Sequence, residues 1–163
     1  TDQMPQLANF TYKEIDIGQT ARYSKLIEEQ DIQLFAAVSG DVNPVHLDPD
    51  FASSTPFGER IAHGMLTGAI ISAALAMELP GPGTIYLSQT LRFRAPVKIG
   101  DKVTVELEVT EKQDRRKIVT LDCKASNQSG KVVATGSAQV MAPEQKLTIE
   151  PPHMPRFGLL ADS

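Results

Sequence analysis

A single cysteine, Cys123, stands in the 163 residues, so no intrachain disulfide can form. A chain without that staple suits a reducing compartment, and a cytoplasmic location is expected. Cys123 falls on the apolar phase of a strand pattern, where a free cysteine behaves as a small core residue. No CxxC pair and no histidine, cysteine or carboxylate cluster of metal-ligand spacing is present, so no metal is expected. No GxGxxG follows a strand, which removes nicotinamide and flavin cofactors from the expectation. A basic excess is missing too: 16 Lys and Arg against 20 Asp and Glu give a net charge of −4. Nucleic-acid binding, which needs a basic face, is therefore not expected. Thr1 to Phe10 is polar and lacks the apolar stretch of a secretory signal. The one long apolar run, Met65 to Met77, is interrupted by Thr67, Gly68 and Ser72. At about 13 residues it falls short of the ~20 that span a bilayer, so no membrane partner is expected and the run reads as a helix buried inside a protein.

What is present fits one globular domain over 1–163. Hydrophobic residues make up 41% and charged residues 22%, enough for a real core. Residues 1–18 read as an arm, with Ile15 and Ile17 as anchors and Gly18 as a break. Ala21 to Ile27 reads as a strand. Glu28 to Ser39 reads as a short helix, with Ile32, Phe35, Ala36 and Ser39 at 3–4 spacing and Gly40 at the left-handed C-cap position. Asp48-Pro49 reads as an N-cap with proline at the first helical position, opening a short helix to Ser54. Gly64 opens the apolar helix, and Leu79-Pro80-Gly81-Pro82-Gly83 stops it, because proline cannot continue a helix.

Beyond Gly83 the period changes to two. Val103, Val105, Leu107 and Val109 alternate with polar residues, as do Val119, Leu121, Cys123 and Ala125, and then Val132 to Val140. These are half-buried antiparallel strands. Thr84 to Arg94 is a further strand, Asn127 to Gly130 a hairpin turn, and Asp114-Arg115 another turn. One apolar helix followed by a strand meander buries its surface most simply by wrapping the sheet around the helix. The expected class is α+β, a hot dog arrangement, with a Pro-rich C-terminal tail from about 143. The open sheet edges invite pairing with a second copy, so a homodimer is expected.

The chemistry concentrates in Phe35-Ala-Ala-Val-Ser-Gly-Asp-Val-Asn-Pro-Val-His46. An acid, Asp41, and an imidazole, His46, share one loop punctuated by Gly40 and Asn43-Pro44. Such a loop can fold both side chains onto one point, where two proton-transfer groups aimed at one water serve hydration or dehydration. An Asp near an Asn-Pro turn can also be only a turn former. His63 reads as support for the helix start, and His153, in the tail, as chemically idle.

The loop, together with Ile61-Ala-His-Gly64, Leu79-Pro-Gly-Pro-Gly-Thr-Ile-Tyr-Leu and Leu91-Arg-Phe-Arg-Ala-Pro-Val-Lys-Ile-Gly-Asp101, resembles the MaoC-like (R)-specific enoyl-CoA hydratases, the hydratase 2 family. The likeness covers roughly 12–143 and is strongest to the short hydratases of the PhaJ type, which feed polyhydroxyalkanoate synthesis from β-oxidation. It implies syn addition of water to a trans-2-enoyl-CoA, giving the (R)-3-hydroxyacyl thioester. It implies Asp41 and His46 as the catalytic pair. Asp41 is assigned as the group that takes a proton from water, and His46 as the group that delivers one to the α-carbon, with the roles open to exchange. Gly64, at the amino end of the helix, would offer its N–H to the thioester oxygen. Asn43 would shape the loop and contact substrate, and Ser72 and Leu75 would line the acyl channel. No cofactor is implied, coenzyme A being part of the substrate; Arg92, Arg94 and Lys98, or Arg115 to Lys117, could meet its phosphates. The alternatives are a hot dog acyl-CoA thioesterase and a non-catalytic acyl-CoA binding module. The first is weakened because the helix carries no acid before Glu78, the second because Asp41 and His46 are both present.

Overall fold

The computed structural model describes residues 5–160; the outermost parts of the expected arm and tail, 1–4 and 161–163, lie outside the described residues. The chain runs β1 (Leu7–Ala8), β2 (Thr20–Leu26), α1 (Glu29–Ser39), α2 (Pro44–Leu47), α3 (Pro49–Ser53), α4 (Gly64–Met77), β3 (Ile85–Gln89), β4 (Arg92–Phe93), β5 (Lys102–Gln113), β6 (Ile118–Ser126), β7 (Val132–Met141) and β8 (Thr148–Ile149). Six strands form one antiparallel sheet in the order β2-β5-β6-β7-β3, with β4 also on β7. The sheet curls around α4, which packs across β2, β5 and β6. This is the hot dog fold.

The period-two pattern sets which side faces the helix. Val103, Val105, Leu107 and Val109 of β5 are buried, as are Val119, Leu121, Cys123 and Ala125 of β6. They meet Ile70, Ile71, Ala74 and Leu75 of α4 in one core. Each fully buried Leu or Ile contributes about 1.5–3 kcal/mol relative to exposure. Burial lifts the Cys123 thiol pKa to about 11, so it remains a neutral core residue.

Three expectations need correction. The apolar helix is not buried all round: its phase puts Ile70, Ile71, Ala74 and Leu75 inward, while Met65 is 57% exposed. The expected strand Thr84 to Arg94 is two strands. Between them, Thr90 exchanges bonds with Ser137 and its carbonyl lies over Gly136, where a Cβ would stand 1.9 Å from that oxygen. The break therefore depends on a residue without a side chain. Of the two arm anchors only Ile15 is buried; Ile17 is 65% exposed, because it lies in the turn leading to Gly18. The arm and tail are also joined, through β1 pairing with β8.

Candidate active site

Asp41 and His46 come together through local turn chemistry. α1 ends on Gly40 in the left-handed conformation, φ 80°, which turns the chain out of the helix. Ser39 Oγ then accepts the Asp41 N–H at 3.1 Å. Asp41 Oδ1 accepts the Asn43 N–H at 3.1 Å, and Asn43 Oδ1 accepts the Val45 N–H at 3.2 Å. These are successive side-chain turns of the kind Asp and Asn favour. They start α2, a single helical turn inside the expected loop. His46 lies on that turn and is 8% exposed.

The tautomer of His46 follows from its neighbours. Nδ1 lies 2.8 Å from the Ile61 carbonyl, which can only accept, so Nδ1 carries the hydrogen. In the neutral ring Nε2 is then a bare lone pair, and it faces Asp41 Oδ2 at 3.9 Å. That separation is too long for a hydrogen bond. It leaves two acceptors aimed at one point, and the Asp41 side chain, 50% exposed, opens the point to solvent.

His63 ties this loop to the start of α4. Its Nε2–H donates to the Asp41 carbonyl at 2.9 Å, and its ring stacks on His46 at 3.8 Å between centroids. Phe35 of α1 tilts against its side at 4.8 Å. His63 thus braces the loop against the start of α4. Asp41, His46 and His63 hold three potential ligand atoms within 4.8 Å of one another. The two rings are stacked only 24° from parallel, so their in-plane lone pairs converge poorly on a common metal ion.

Gly64 begins α4, and among the described residues its N–H has no acceptor. The helix dipole adds partial positive charge at this end. A Cβ here would stand 3.1 Å from the Phe93 ring, so glycine lets that ring pack close against the helix start. One turn on, Gly68 and Ser72 of α4, with Phe35, Leu87 and Leu91, line an apolar groove of about 470 Å³.

The remaining predicted residues divide. Ser72 is on the groove. Leu75 is not: it is 1% exposed in the core, its helical phase placing it under the sheet. Asn43 spends its Oδ1 on capping α2, which is the loop-shaping role, and it has no place on the groove. Lys98 pairs with Glu59 at 3.3 Å, while Arg115 to Lys117 border a separate pocket beside Gly83. The sequence reading missed the Ile61 carbonyl, because a backbone acceptor has no residue signature. It missed Arg60 as well, whose only signal was a basic residue directly before Ile61-Ala-His-Gly64.

The sequence profile of the MaoC-like domain matches residues 11–129. An (R)-specific enoyl-CoA hydratase of Rhodospirillum rubrum is 48% identical over 132 residues, covering 81% of this chain and 91% of the relative. The unliganded R-hydratase PhaJ1 of Pseudomonas aeruginosa superposes with a TM-score of 0.91 at 56% identity, covering 94% of this chain and 99% of that one. The (R)-hydratase of A. caviae, described as involved in PHA biosynthesis, superposes with a TM-score of 0.78 at 44% identity, covering 80% and 99%.

Proposed function

The chain belongs to the MaoC-like family, and from that premise we propose that it is an (R)-specific enoyl-CoA hydratase acting through Asp41, His46 and Gly64, and supplying (R)-3-hydroxyacyl-CoA for polyhydroxyalkanoate synthesis. The observation that carries the mechanism is the 3.9 Å gap between Asp41 Oδ2 and His46 Nε2. A water donating to both would lie about 2.8 Å from each. Its oxygen lone pair is then free to attack the β-carbon.

The tautomer sharpens the division of labour. Neutral His46 has no hydrogen on Nε2, so it begins as a base and not as an acid. Nε2 takes one proton from water as the C–O bond forms, and the Asp41 carboxylate holds the other hydrogen and faces the resulting imidazolium. The proton returns from the pair to the α-carbon on the same face, and net addition of one water is complete. Exchange of the two roles is thereby favoured over the first assignment. Meanwhile negative charge grows on the thioester oxygen, where the Gly64 N–H receives it. The acyl chain follows the groove past Gly68 and Ser72.

The active form is a homodimer. β3 ends the sheet, and Ile85, Tyr86 and Leu87 on it are exposed, Tyr86 and Leu87 sharing the groove with the exposed Met65 of α4. An unpaired apolar edge is stable when a second copy covers it. Among the described residues no helix is long and apolar enough to cross a membrane. The buried single thiol suits the cytoplasm.

The test follows loss of the ultraviolet absorbance of the enoyl thioester with crotonyl-CoA and octenoyl-CoA, with a thiol reagent present. Loss of the double bond without free CoA, giving the R product on chiral analysis, is expected. Release of free CoA without hydration would replace this reading with a thioesterase.

A further inference from the structure

We propose that Arg60 is a positioning residue for His46, acting through the backbone of α2; the inference rests on the hydratase reading for its kinetic consequence but not for its geometry. α2 has four residues, fewer than a helix needs to persist unaided. Its last carbonyls have no partner within the helix. One of them, His46 O, accepts the Arg60 Nε–H at 2.6 Å. The same guanidinium gives Nη1 to Glu29 Oε2 at 2.9 Å, and its side chain is only 14% exposed. Glu29 is held in turn by Gln33 Nε2 at 3.0 Å on α1. Arg60 is therefore a rigid fork between α1 and the reacting histidine's own peptide.

The next residue completes the grip. Ile61 N–H donates to Val45 O at 3.4 Å, and Ile61 O receives His46 Nδ1–H at 2.8 Å. The segment is itself anchored, since Ala62 N–H donates to Val97 O at 2.7 Å. His46 is thus fixed at its carbonyl by Arg60 and at its ring by Ile61. Releasing the carbonyl lets α2 turn, and the ring then loses its alignment with Asp41. A lysine cannot replace the fork, because a single nitrogen cannot reach both Glu29 and His46 O in these directions.

The experiment uses the full chain with ¹⁵N-labelled histidine, of which there are three. In the wild type His46 shows a protonated Nδ1 and a bare Nε2. In R60A the two nitrogens average, and kcat on crotonyl-CoA falls by roughly 10²-fold with KM unchanged, the scale of a misplaced catalytic group. R60K and E29Q shift both readouts in the same direction by less. Should R60A fail to fold, R60K and E29Q decide. Folded variants with wild-type kcat and an unaltered His46 tautomer would overturn the proposal, as would a rise in KM with kcat intact. If the wild type hydrates neither crotonyl-CoA nor octenoyl-CoA, the hydratase reading fails while the tautomer arm still tests the fork.

Discussion

The loop from Ser39 to Gly64 and the core between α4 and the sheet are built by opposite means. The core is apolar and redundant: Leu107, Leu121 and Val105 each touch a continuous cluster, and loss of one leaves the others in register. The loop is polar and serial: Ser39, Asp41, Asn43 and His46 each depend on the bond before it. On the proposed mechanism, packing sets how stable the protein is, while a few hydrogen bonds set whether it can act. Damage to one region should leave the other's property intact.

The largest effect should come from the loop. His46→Ala or Asp41→Ala is expected to lower kcat by about 10³-fold, within the range of general acid–base catalysis, with little change in melting temperature. A parallel fall in stability would break the contrast. From the core side, Leu75→Ala should cost about 2–5 kcal/mol in urea unfolding and leave kcat on crotonyl-CoA near wild type. A changed acyl-length profile would instead return Leu75 to the channel. Asn43→Ala removes a cap worth about 1 kcal/mol of local helix stability, so kcat should suffer far more than the unfolding midpoint. The smallest signal is chemical. With its pKa lifted to about 11 by burial, Cys123 should resist alkylation at pH 8 in the native protein and react promptly in urea. Rapid native labelling would show that the core opens locally. The sign is that of a raised acid: the neutral thiol is favoured by folding up to its ordinary pKa, and that advantage disappears as pH climbs through the raised value.

The sequence was most legible where a pattern repeats or a motif is dense. Alternation identified β5, β6 and β7 because each residue reports its own side of the sheet. Gly40 and Asp48-Pro49 marked helix ends through their own backbone preferences. Asp41 and His46 were legible because the loop that joins them is short. Leu75 was misplaced because α4 is apolar on every face, so composition gave no phase, and only the packed sheet shows which side is covered. Ile61 escaped since its contribution is a carbonyl. Arg60 escaped because its partners, Glu29 and the His46 peptide, are distant in sequence.

The divided carboxylate of Asp41 has an evolutionary corollary. Oδ1 keeps the turn and Oδ2 faces the histidine, so the two atoms answer to different kinds of selection. Asparagine can present an oxygen to the turn while placing an uncharged amide toward the ring. On the proposed mechanism, a single-nucleotide change from Asp to Asn would preserve the loop and the apolar groove yet silence the chemistry. In a duplicated gene, the route from catalyst to thioester-binding protein is one atom long.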